Sequence, residues 1–210
     1  MYFMTPPPVF QPAGNYYDKY AARNPLVRWM MRGFMNDFDD LVLLSGVGDR
    51  AIEIGCGEGE LSIRLARKGI EVTGCDIAEE AIIEARARAA RAGVAVQFEH
   101  CGIEESGQWM GAAPLVVCCE VLEHLDDTSS ALDALSRLST GYLLVSVPRE
   151  PIWRVLNVAR LRYLTDLGNT PGHIKHWSRR AFVDMLSRRF EIIAVRSPLP
   201  WTMVLCRVAG

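Results

Sequence analysis

Three glycines in alternation constrain this chain more than any other feature. In residues 51–69, AIEIGCGEGELSIRLARKG, an apolar run passes through Glu53 to Ile54. Glycine then falls at 55, 57 and 59, and a helical pattern follows. Glycine in a helix costs about 1 kcal/mol relative to alanine. Its repeat at a strand-to-helix turn therefore marks a backbone that bends sharply and lies close to something. A second apolar run, IEVTGCD, ends at Asp76, 21 residues after Gly55. A carboxylate at that spacing can accept hydrogen bonds from both hydroxyls of a ribose. The order G-C-G-E-G departs from a dinucleotide fingerprint. Glu58 stands at the helix N-terminus, where a pyrophosphate would otherwise bind, and Glu53 precedes the loop. The two acids disfavour phosphate and suit a cationic ligand.

Strand and helix patterns alternate on either side of this unit. Asn24 as N-cap and Pro25 at the first helical position open a helix over 24–44. Strands are expected over 51–54, 70–76, 94–100, 114–120 and 141–148, and helices over 59–67, 78–93, 129–140 and 178–190. Two closing strands, 191–198 and 201–208, are joined by a turn too short for a crossover helix and are expected to be antiparallel. The alternation implies an α/β fold with a mostly parallel sheet covered on both faces. A single domain over 1–210 is expected, with a Pro- and Gly-containing arm over 1–23 and a helical insertion or lid over 149–172.

Half of the residues are apolar and the net charge is −2, which exerts no general attraction on nucleic acid or anionic membranes. The six cysteines form no C-x-x-C pair and sit in apolar runs; they read as buried thiols of a cytoplasmic protein. The first residues, MYFMTPPPVFQPAG, lack the basic and apolar regions of a signal peptide. No run reaches the roughly 18 apolar residues of a membrane span.

The segments EIGCGEG, VTGCD and VVCCEVLEH stand in the order and spacing of the class I S-adenosylmethionine-dependent methyltransferases, which the chain resembles over nearly its whole length. The resemblance implies a Rossmann-like seven-stranded, mostly parallel sheet with helices on both faces and a C-terminal antiparallel hairpin. It implies that Glu53, Gly55, Cys56 and Gly57 hold the methionine end of the cofactor and that Asp76 holds the ribose. Ile77 would pack on the adenine, Ile103 would cap it, and Cys119 would face the methionine portion. One departure stands out. Many members carry an acid after the third strand to accept the adenine amino hydrogen, and this chain has Gly102 there.

Glu120, Glu123 and His124 in CCEVLEHLDD are spaced i, i+3, i+4, which puts them on one side of a helical turn. Such a set suits a divalent ion, Mg²⁺ or Zn²⁺. The segments RNPLVR, CCEVLEHLDD and GHIKHWS are similar to pieces of the ubiquinone-biosynthesis O-methyltransferases. In that family the E-x-x-E-H triplet is associated with a metal that supports methylation of a catechol-type hydroxyl. A metal-free reading stands beside it, in which the histidine or a glutamate ties the loop to the cofactor site. His173 and His176 follow the fifth strand on the ligand side. His173 is the expected general base or additional metal ligand, with His124 as its alternative, while His176 beside Trp177 and Ser178 reads as structural and His100 as incidental. In the insertion, Ile152, Val155, Leu156, Ala159 and Tyr163 share one helical face, with Arg154, Arg160 and Arg162 elsewhere. This reads as a lid, or as a weak peripheral membrane contact suited to a lipid-like acceptor.

The expected activity is methylation of a small or amphipathic catechol- or phenol-like hydroxyl. A metal-dependent RNA 2′-O-methyltransferase and a catalytically inactive cofactor-binding partner subunit are the rival readings.

Overall fold

The computed structural model describes residues 24–159, 169–170 and 172–208. The N-terminal arm lies outside the described residues, as do Arg160, Arg162 and Tyr163 of the insertion.

Helix α1 (Pro25–Ser45) starts where the Asn24 side chain accepts the Leu26 N–H at 2.9 Å, and it ends at the left-handed Gly46. The chain then alternates through β1 (Arg50–Ile54), α2 (Glu60–Ala66), β2 (Glu71–Asp76), α3 (Glu79–Ala92), β3 (Gln97–His100), α4 (Ile103–Trp109) and β4 (Ala113–Cys119). A 3₁₀ turn (Leu122–His124) leads to α5 (Thr128–Leu138), β5 (Ser139–Pro148), α6 (Ile152–Ala159), α7 (Arg179–Ser187), β6 (Glu191–Arg196) and β7 (Trp201–Arg207).

The described strands form a seven-stranded sheet in the order β3-β2-β1-β4-β5-β7-β6. The first five strands are parallel, and β7 runs antiparallel to both β5 and β6. The expected Rossmann-like architecture is present. Within the closing hairpin the second strand lies inside, because β7 is apolar and buried along nearly its whole length whereas β6 is only half buried.

Side-chain alternation in β4 divides the core. Leu115, Val117 and Cys119 face α1 and α2, meeting Phe34, Phe38, Leu41 and Leu65. Val116 and Cys118 face the other layer, with Leu132, Leu135, Phe182 and Leu186 of α5 and α7. Truncating one of these fully buried side chains to alanine costs about 2–5 kcal/mol. All six cysteines are free and buried.

Three local expectations need correction. Helix α4 had no counterpart in the sequence pattern, since IEESGQW offers little apolar periodicity. Strand β3 is shorter than 94–100, as an edge strand bonded to β2 alone. In α6 Trp153 and Leu156 pack on the core and Asn157 is buried, while Val155, expected on the same apolar face as Leu156, is 61% exposed.

The order of strands reverses between β1 and β4, the switch point beyond whose carboxyl ends sheets of this kind bind ligands. The glycine loop, Asp76 and the turn after β4 all sit at that end.

Candidate active site

The loop between β1 and α2 is shaped by left-handed glycines. Gly55 has φ 71°, and a Cβ there would collide with the Val121 side chain. Gly59 has φ 80°, and a Cβ there would lie 2.8 Å from the Phe98 ring. The Cys56 N–H bonds to the Cys75 carbonyl at 2.9 Å, fastening the loop to β2. Asp76 completes the fastening. Its Oδ2 accepts the Gly57 N–H at 2.8 Å, and its Oδ1 accepts the Ala78 N–H at 2.9 Å. Each carboxylate oxygen has a second lone pair for a further donor. Ile77, at the tip beyond Asp76, is 60% exposed. Its carbonyl lies 2.9 Å from His100 Nε2, so His100 braces this tip and is not incidental. Ile103 is partly buried at the start of α4, and Cys119 is buried at the end of β4.

The two loop acids differ from the picture of open anions. Glu58 is paired with Arg88 of α3. Glu53 is 3% exposed beneath the loop, where it accepts the Ser62 hydroxyl. Burial pushes the Glu53 carboxyl up to about 8; the Ser62 hydrogen bond opposes the shift, and Asp76 and Glu60 add to it. A carboxyl raised in the folded state binds its proton there while the unfolded chain releases it. Stability therefore falls as pH rises from about 4.5 to about 8 and levels off above. Glu53→Gln should remove this dependence, whose limiting slope is about 1.4 kcal/mol per pH unit. Urea unfolding of both proteins from pH 5 to 8 checks it; parallel profiles would contradict the assignment.

The turn after β4 is built differently from a helical turn through Glu120. Glu120 takes φ 62°, a left-handed conformation costing a non-glycine residue about 1–2 kcal/mol. Its Oε2 accepts the Trp201 indole N–H at 2.6 Å and its Oε1 accepts the Ser146 hydroxyl at 3.1 Å. The expected triplet of Glu120, Glu123 and His124 is thus not assembled. Among the described residues the group whose ligand atoms lie within 4.8 Å of one another is Glu123, His124 and His173.

The segment before α7 wraps onto this turn. The Ile174 and Lys175 N–H groups bond to the Glu123 carbonyl at 3.0 and 3.1 Å. His124 Nδ1 lies 2.9 Å from the Gly172 carbonyl oxygen. A carbonyl only accepts, so Nδ1 carries the proton and the lone pair of the neutral ring is on Nε2. The His173 ring meets His124 edge-on at 4.8 Å and stacks on Trp153 at 5.8 Å, with the planes 26° apart. Asn169 donates to the His173 carbonyl at 3.2 Å, and Trp153 Nε1 donates to Thr170 at 2.9 Å. His176 lies apart, 3.5 Å from Glu150 and 3.0 Å from Arg154, as its structural reading required. Burial and then Arg154 hold its pKa below the ordinary value, against Glu150. The side chains missed in the sequence are the tryptophans. Trp153 and Trp201 gave no local signal beyond their type.

Residues 51–140 match the methyltransferase domain family. Over this segment the chain is similar to that family. Its methyltransferase domain resembles the ubiquinone biosynthesis O-methyltransferase of Pseudomonas aeruginosa, with 30% identity over 152 residues covering 66% of each protein. The enzyme of the same description from Aeromonas salmonicida is 40% identical over 121 residues, covering 56% of this chain and 51% of that protein. The matches thus span between half and two thirds of these relatives. The magnesium protoporphyrin IX methyltransferase of Synechocystis, solved with bound S-adenosylhomocysteine, superposes with a TM-score of 0.69 at 21% identity, covering 90% of this chain and 89% of that one. The N-methyltransferase NodS of Bradyrhizobium japonicum, in complex with S-adenosylhomocysteine, gives 0.67 at 20% identity, covering 93% and 94%. The fold is that of S-adenosylmethionine-dependent methyltransferases.

Proposed function

We propose that the protein transfers a methyl group from S-adenosylmethionine to the hydroxyl of a small catechol- or phenol-like acceptor. The observation that carries this reading is the packing of Val121 on Gly55. It joins the glycine loop and Asp76, suited to the cofactor, to the turn that bears Glu123 and His124. The bound cofactor supplies an electrophilic methyl on a sulfonium. Glu53, Gly55, Cys56, Gly57 and Cys119 border the place for its methionine end. Asp76 accepts the ribose hydroxyls, and Ile77 and Ile103 flank the base. The positive charge on sulfur disappears in the reaction, so an acid such as Asp76 serves the ribose better than the sulfur.

His173 and His124 hold or remove the acceptor proton. The same residues fit a divalent ion. His124 donates Nδ1–H to a backbone carbonyl, the usual arrangement of a metal-bound histidine. Two imidazoles and one carboxylate favour Zn²⁺ over Mg²⁺. Bound there by Glu123, His124 and His173, the ion would lower the pKa of an acceptor hydroxyl. No helix among the described residues is long and apolar enough to cross a membrane. The exposed Val155, Val158 and Ile174, on the segments that carry Trp153 and His173, suit an acceptor with an apolar tail or a weak peripheral membrane contact.

The cofactor assignment is tested by calorimetry with S-adenosylhomocysteine. Micromolar binding is expected, and Asp76→Ala should weaken it by about 1–3 kcal/mol through lost charged hydrogen bonds. Undiminished affinity in the variant would contradict the ribose role.

A further inference from the structure

Glu120 is left over once the metal-binding group is redrawn, yet its geometry is among the most constrained at the site. Its backbone is left-handed, its N–H bonds to the Ser146 carbonyl at 3.0 Å, and its two carboxylate oxygens are bonded by separate donors on β5 and β7. The Trp201 indole that reaches Glu120 is 5.9 Å from the Trp153 ring. Trp153 stacks on His173, and His173 meets His124. A continuous row of rings therefore runs from the Glu120 carboxylate to both histidines. Its first link is a hydrogen bond of fixed direction, and the others are ring contacts that tolerate sliding.

We propose that Glu120 is a positioning residue that, by holding the Trp201 indole N–H, fixes the ladder Trp201–Trp153–His173 and so sets the His173 imidazole against His124. This rests on the reading above in taking His173 as the group whose placement matters to the chemistry. A carboxylate suits the task because it accepts from the indole and from the Ser146 hydroxyl at once. Glutamine keeps an acceptor for the indole, and its amide can donate to the hydroxyl. Alanine keeps neither. Phenylalanine at 201 keeps a ring beside Trp153 and loses the N–H.

The test compares Glu120→Gln, Glu120→Ala, Trp201→Phe and the double variant Glu120→Ala/Trp201→Phe. The first readout is the proton NMR shift of the His173 ring, which stacking on Trp153 moves upfield. In Glu120→Ala and in Trp201→Phe this shift should fall toward that of free histidine, and in Glu120→Gln it should persist. With a catechol acceptor, turnover should drop roughly 10–100-fold in the first two, the cost of a misplaced group. Affinity for S-adenosylhomocysteine should stay within about threefold, the pattern of an interaction made only in the transition state. The double variant should be no worse than the worse single variant, because both remove one link. An unchanged His173 shift in Trp201→Phe, which preserves packing, overturns the proposal even if Glu120→Ala fails to fold. Multiplying losses in the double variant also overturn it. The NMR readout is independent of catalysis. A shift that collapses as expected while His173→Ala retains native turnover would support the ladder and refute only the chemical role of His173.

Discussion

His173→Ala should lower turnover by roughly 10²–10⁴-fold, the range for loss of a group that handles the reacting proton. The expectation follows from how tightly the imidazole is held. His173 is 8% exposed, its ring lies between Trp153 and His124, and its backbone N–H is bonded to the Thr170 carbonyl at 3.0 Å. Such constraint suits a group that must meet an acceptor aligned with the sulfur–methyl bond at about 3–3.5 Å. Cofactor affinity should change little, because the glycine loop and Asp76 form a separate set of contacts. Steady-state kinetics and calorimetry on one preparation separate the two effects. Native turnover would move the proton-handling role to His124.

Removal of divalent ions should have an effect of similar size. If Glu123, His124 and His173 hold an ion against the acceptor hydroxyl, chelation should reduce turnover by at least about 10²-fold. Zn²⁺ should restore it better than Mg²⁺, because imidazole is the softer donor. Equilibrium competition with a chromophoric chelator should show one zinc site in the native protein and a much weaker one in Glu123→Gln. Full turnover in excess chelator, with no zinc retained, would leave the histidines to act on the proton alone.

The parts of the site that were legible in the sequence are those fixed by short-range geometry. Gly55 and Gly59 need left-handed backbone, and Asp76 stands at the end of the adjacent strand, so a local pattern carried all three. The parallel sheet followed from the alternation of strand and helix signals. The grouping of Glu123, His124 and His173 was not legible. Glu120 has the correct spacing from Glu123 and His124, but its partners Ser146 and Trp201 are 26 and 81 residues away, and those contacts turn it aside. His173 takes its place because the segment before α7 folds back over the turn after β4, a tertiary contact with no sequence period. Helix α6 shows the same limit. Its buried side is chosen by Trp153 against Trp201 and His173, and Val155 is left in solvent.

Methyl transfer at this site is tested by following the methyl group itself. The purified protein would be incubated with methyl-labelled S-adenosylmethionine and a panel of catechols, phenols, amines and short RNAs, and products identified by mass spectrometry. The expected result is a labelled methyl on a catechol or phenol oxygen, with stoichiometric S-adenosylhomocysteine, and its loss in Asp76→Ala and His173→Ala. Cofactor binding without transfer to any member of the panel would point to a cofactor-binding partner subunit. Label confined to RNA or to an amine nitrogen would contradict the proposed acceptor.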